Sequence, residues 1–331
     1  MLPAHRTKHL PALPLPLPTI NASLLLSQSA DGRSNGTALW LGAQCLSFYL
    51  VASQKTHLSC DSARPKAIEL GTGIGLTAYV RIPAYSLAAI HIPRPPPSSS
   101  LVLSSMGWDV LATDTRHVIS SVLSHNISSN LSRLTAASGV VQVRELDWAV
   151  PPENWSWNDP ATVATSSPTD ASPSIPDSGD LLKPPFDLIV SSDTLYIPEL
   201  ISPLLRTLYS ISSQSMTASR RPPAVYLCIE RRDSAVIDRA LHEATTCWGF
   251  DVQRIAHRKL IKSLEKGGIK WSQDEWSGIE IWRLKLRIQV SSRLTSDRDS
   301  KQPGQRTRSR LTPAVSTTRL ASSNQVGQRR D

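Results

Sequence analysis

"AIELGTGIGLTAYVRIPAYSLAAIHIPRPPPSSSLVLSSMGWDVLATD" runs from Ala67 to Asp114. It opens on a short apolar run, 67–70, that turns into a loop with glycine at Gly71, Gly73 and Gly75. It closes on "WDVLATD" (108–114), a second apolar run ending in an acid. Glycines after a strand permit a tight turn and let backbone N–H groups come close to a ligand, with a helix N-terminus behind them. In an open parallel sheet that position lies beyond the carboxyl ends of the strands, where ligands bind.

The spacing narrows the ligand. A dinucleotide fingerprint needs a glycine where Leu76 stands, and no Gly-Lys-Ser/Thr follows to make a phosphate loop. GxGxG after a strand carrying Glu69 fits S-adenosylmethionine better than either. Asp114 is then the acid that accepts the ribose hydroxyls. Such an acid should follow the loop by about 20 residues, yet Asp114 comes 43 after Gly71.

The excess is a proline-rich run. Removing Tyr79–Ser100, 22 residues, shortens the interval to 21 and leaves "GLTALVLSSMG" as an uninterrupted helix. With Pro83, Pro93 and Pro95–Pro97 present, that helix is broken, at about 3 kcal/mol for each internal proline. The codons for Ala78-Tyr79-Val80 can hold a splice-donor-like GTAYGT, and Ser100 can be AGY. The segment therefore reads as a translated intron, and the alternative is a surface loop leaving after the first helical turn.

Outward from this stretch, further runs read as strands buried on both faces: "VVQVREL" (140–146), "FDLIVSSD" (186–193) and "AVYLCIE" (224–230). "FDVQRIA" (250–256) and "GIEIWRLKLRI" (278–288) read as a final antiparallel pair. Helical patterns alternate with them at 118–134, 198–214 and 233–249, and "GTALWLGAQCLSFYLV" before them reads as an amphipathic helix. The expected fold is α/β, Rossmann-like and doubly wound, with a mostly parallel seven-stranded sheet and an antiparallel final strand pair. Residues 31–288 make that domain. Residues 1–30 read as a disordered leader, and the Ser/Pro/Asp-rich run 161–185 as a disordered loop insertion.

The formal net charge of +9 suggests nucleic acid until it is located. From Arg287 onward ten Lys/Arg stand against three acids, so +7 of the +9 belongs to the end of the chain and +2 to the rest. Residues 289–331 read as a basic disordered tail, the only part expected to touch nucleic acid. Four cysteines form no CxxC pair, which argues against zinc and against a disulfide scaffold. No run of 18 apolar residues marks a membrane span. The expected setting is the cytoplasm or nucleus.

"GTALWLGAQCLSFYL", "IELGTGIG", "WDVLATD", "SHNISSN", "ELDW", "FDLIVSSDTLY" and "YLCIERRD" occur in one order. In that order they resemble the class I, seven-strand S-adenosylmethionine-dependent methyltransferases, and within them the protein-lysine methyltransferases of methyltransferase family 16. The likeness covers Gly36 to about Arg287, apart from the two insertions. It implies S-adenosylmethionine as cofactor, with Gly71, Thr72 and Gly73 at its methionine end, Asp114 at the ribose and Trp148 beside the adenine. Ser192 would line the pocket where the family often has alanine, and Trp40 would cover the cofactor. Asp193 and Tyr196 of "SSDTLY" match the family's Asp-x-x-Tyr motif and would act at the mouth where a lysine enters.

The implied activity is methyl transfer to a lysine of an intracellular protein, such as a translation factor, by a monomer. Two alternatives stand beside it. One is a small-molecule N-methyltransferase acting on a pyridine-like amine. The other is a binding protein disabled by the 79–100 insertion.

Overall fold

The alternation of apolar runs with helical ones builds a layered molecule in the computed structural model. It describes residues 7, 9–17, 22–29, 35–54, 63–76, 102–130, 138–167, 180–217, 221–270 and 272–288. The chain divides into units 1–288 and 289–331, and the second, with the expected basic tail, lies outside the described residues.

Two strands open the chain, β1 (Ala12–Leu17) and β2 (Ala22–Ser27), paired antiparallel. Eight more follow: β3 (Lys66–Leu70), β4 (Asp109–Asp114), β5 (Val141–Leu146), β6 (Thr162–Ala164), β7 (Leu188–Ser192), β8 (Ala224–Glu230), β9 (Phe250–Arg254) and β10 (Ile279–Leu286). They form one sheet in the order β6-β5-β4-β3-β7-β8-β10-β9. Strands β6 to β8 are parallel along that order, and β10 runs antiparallel to both β8 and β9. The chain winds outward from β3 in one direction and from β7 in the other, which puts the topological switch point between them.

Side chains alternate across the sheet, so two cores form. Ala67, Val110, Val190 and Cys228 belong to one, Ile68, Leu111, Ile189 and Leu227 to the other. The first core lies under α1 (Leu41–Ser53), α2 (Val102–Ser105), α6 (His257–Lys266) and the helical run α3. That run comprises Arg116–Val118, a π-helical turn Ile119–Leu123, and Ser124–Asn130. The second core lies under α4 (Pro198–Gln214) and α5 (Ser234–Thr246). Asp233 caps α5, its side chain accepting from the Ala235 and Val236 amides.

Four expectations are corrected. Among the described residues the sheet has eight strands where seven were expected. The additional one, β6, lies inside the run expected to be a disordered loop: it extends the edge of β5 and buries Val163 and Ala164. The leader is not disordered throughout, because β1 and β2 sit on the domain with Leu24 and Leu26 fully buried. The alternation "ALPLPL" breaks helices but suits an edge strand, since a proline every second residue can keep its missing N–H off the ladder. Helix α1 is not amphipathic: it is buried nearly all round, between β8 and β10 on one side and α6 on the other.

The insertion 79–100 lies outside the described residues, but its surroundings do not. Leu76 O accepts from Val102 N at 3.4 Å, so the chain leaves and re-enters at one place.

Candidate functional site

A cavity of about 490 Å³ opens at the switch point, lined from the carboxyl ends of β3, β4, β5, β7 and β8 and from residues 36–43. Its size suits a cofactor-sized ligand.

The floor is the turn after β3. Gly71, Gly73 and Gly75 have φ of +67°, +60° and +89°, values that glycine adopts without penalty. Neighbours press on the same positions. A Cβ on Gly71 would stand 2.7 Å from Thr194 Cγ2, and one on Gly73 would stand 3.1 Å from Gly36 O. The turn is tied to β4 by two backbone-directed bonds, Thr72 N to Thr113 O at 3.0 Å and Thr113 N to Thr72 Oγ1 at 3.0 Å.

Asp114 ends β4 at the cavity wall. Its carboxylate accepts from Gly73 N at 2.8 Å and from Thr115 N at 2.8 Å. Burial nevertheless pushes its pKa up to about 6, against the pull of those donors. Trp148 closes the wall after β5, its carbonyl held by Arg206 of α4 at 2.7 Å. Its indole Nε1 is buried and meets no hydrogen-bond partner among the described residues.

Asp193 follows β7 in the left-handed region, φ 54°, with its N–H donated to Cys228 O at 2.9 Å. That conformation turns the carboxylate toward the first turn of α1, whose own N-cap residue, Trp40, supplies no side-chain cap. The amides of Gly42 and Ala43 favour the charged form, though neither carboxylate oxygen meets a donor in hydrogen-bonding geometry. Burial dominates, Glu230 adds to it, and the pKa is pushed up to about 7 despite Arg232. Arg232 pairs with Glu230 and lies 4.7 Å from the centroid of the Trp40 ring, a cation–π contact. Tyr196 stands at the rim, 45% exposed.

Of the residues expected from sequence, Trp40, Gly71, Thr72, Gly73, Asp114, Trp148, Ser192, Asp193 and Tyr196 all line this cavity. Glu69 does not. It is 1% exposed within the sheet, and its carbonyl accepts from Thr113 Oγ1 of β4 at 2.6 Å and from Thr72 Oγ1 of the turn at 3.5 Å. Sequence reasoning missed Gly42, Glu230 and Arg232. The last two stand in "ERRD", which carries no spacing that points to Trp40.

The residues present fit S-adenosylmethionine. A left-handed glycine turn lies beneath the cavity, an acid ends the neighbouring strand, and a large aromatic flanks the turn. The fold and this site are those expected of the class I S-adenosylmethionine-dependent methyltransferases. Within that class, residues 20–159 match the family described as lysine methyltransferase. A search of curated protein sequences returns no match.

Solved structures similar to the chain include a methyltransferase from Pyrococcus furiosus, at 11% identity, covering 78% of this chain and 88% of that one, TM-score 0.39. Another is a TehB-like SAM-dependent methyltransferase from Corynebacterium glutamicum, at 13% identity, covering 74% and 87%, TM-score 0.34. A SAM-dependent methyltransferase from Agrobacterium tumefaciens matches at 10% identity over 83% and 70%, TM-score 0.40. At these identities and scores no residue role transfers from them.

Proposed function

We propose that the chain transfers a methyl group from S-adenosylmethionine to a lysine ε-amine of an intracellular protein, in the cytoplasm or nucleus. One observation carries the acceptor: Asp193, with both carboxylate oxygens buried, and an exposed phenol, Tyr196, line the same cavity. An acid inside and an aromatic at the rim suit a long cationic side chain reaching in from a larger molecule.

The turn Gly71–Gly73, Asp114 and Trp148 would hold the cofactor, Ser192 would line its pocket and Trp40 would cover it. Bound there, the cofactor supplies an electrophilic methyl group on a sulfonium. The protein's own contribution is placement and exclusion of water. Asp193 acts from within the cavity wall as a charge that favours the incoming ammonium, and Tyr196 offers its hydroxyl to the nitrogen once its proton has passed to solvent. Arg232 holds the Trp40 ring through the contact described above and balances Glu230.

The experiment is incubation of the chain with methyl-labelled cofactor and a lysate fractionated into protein, RNA and small molecules, followed by mass spectrometry of labelled peptides. Translation factors belong in the panel of purified candidates. Label on lysine supports the proposal, and label confined to RNA or to small amines overturns it.

A further inference from the structure

Asn126 and Asn130 stand four residues apart in α3, both with 0% exposure, and neither touches the cavity. Their carboxamides behave as a piece of β-strand. Asn126 Oδ1 accepts from Ser27 N at 2.7 Å while its Nδ2 donates to Ser27 O at 2.9 Å. One turn later Asn130 repeats the pattern on Leu25, at 3.0 and 2.8 Å. Strand β2 is thus paired with β1 on one edge and with two side chains of α3 on the other.

The two asparagines differ in their remaining bond. Asn130 Nδ2 also donates to Asn126 O within its own helix, at 2.8 Å. Asn126 Nδ2 also donates to Ile74 O, at 2.8 Å. Ile74 stands between Gly73 and Gly75 of the glycine turn and lines the cavity. The amide orientation is determined by its partners, because a flipped carboxamide would set NH₂ against the Ser27 N–H. A second tie runs the same way: Gln28 Oε1, next after β2, accepts from Leu39 N at 2.8 Å, one residue before Trp40.

We propose that Asn126 is a positioning residue for the cofactor turn, coupling residues 71–76 to strand β2. The turn has three left-handed glycines, whose backbone is the most permissive, so a buried bond to the Ile74 carbonyl restricts it beyond what the packing of Ile74 and Leu76 supplies. The inference rests on cofactor binding and not on the identity of the acceptor.

The test compares Asn126→Ala with Asn130→Ala. Each loses two bonds to β2, but only the first loses the bond to the turn. Calorimetry with S-adenosylhomocysteine should show about three- to tenfold weaker binding for Asn126→Ala, in line with one net hydrogen bond. Its KM for the cofactor should rise in parallel, with kcat within about twofold. Asn130→Ala should lower Tm comparably and keep its cofactor affinity. Equal weakening in both variants, or unchanged affinity in Asn126→Ala, overturns the proposal.

A second measurement uses the unmodified chain and is independent of how the variants fold. Hydrogen exchange at the Ser27 amide should slow when S-adenosylhomocysteine binds, because coupling is reciprocal. No slowing at Ser27 overturns the proposal.

Discussion

At the scale of single residues, Asp193 leaves no room for a side chain at Gly42. A Cβ on Gly42 would lie 2.4 Å from Asp193 Oδ2. Alanine in a helix interior is ordinarily worth about 1 kcal/mol over glycine. Gly42→Ala should therefore destabilise the unmodified chain yet stabilise one already carrying Asp193→Ala. Denaturant titration of the four members of that cycle checks the reversal. The raised pKa of Asp193 makes a second prediction. A carboxyl whose folded pKa is raised from 3.8 to about 7 contributes stability below 3.8 and loses it as pH rises through 7. The loss is at most about 4 kcal/mol. Asp193→Asn should flatten the fall in unfolding free energy between pH 4 and pH 7.5, and an unchanged slope would show that another group titrates there.

At the scale of elements, the start of α2 is informative because it is tied to the end of the glycine turn across a long interval of sequence. Val102 N donates to Leu76 O at 3.4 Å. Without Tyr79–Ser100, Val102 becomes the fourth residue after Leu76, and this bond becomes an ordinary α-helical one. Deleting 79–100 should thus preserve cofactor affinity, measured by calorimetry, and raise Tm. Transcript sequencing across the Ala78–Leu101 junction tests the intron reading separately, and a message retaining all 66 nucleotides as its sole form would reject it. Element by element, the seven sheet strands of the reading formed, because runs such as "FDLIVSSD" carry their burial in composition. The hairpin β1–β2 and strand β6 were not legible. What holds the hairpin on the domain is side chains of a helix distant in sequence, and such contact leaves no local signal: Ser27 meets Asn126, 99 residues away.

At the scale of the whole molecule, the charge and the chemistry separate. The site lies in the unit 1–288, and most of the net charge lies in 289–331. A chain ending at residue 288 should bind the cofactor with unchanged affinity and keep its Tm, whereas the full chain alone should retard on a cation exchanger in a salt-dependent way. The sequence by itself determined the parallel sheet, the glycine turn and the acid at the end of the next strand. Each depends on local composition and on the conformations that glycine alone tolerates. Only the tertiary structure decided that Glu69 supports the turn from within the sheet and that α1 turns its N-terminus to Asp193. It alone placed Arg232 on Trp40 and Asn126 beneath the turn. Those contacts join residues from separate elements, and their energies depend on burial and distance, which exist once the sheet has brought the elements together.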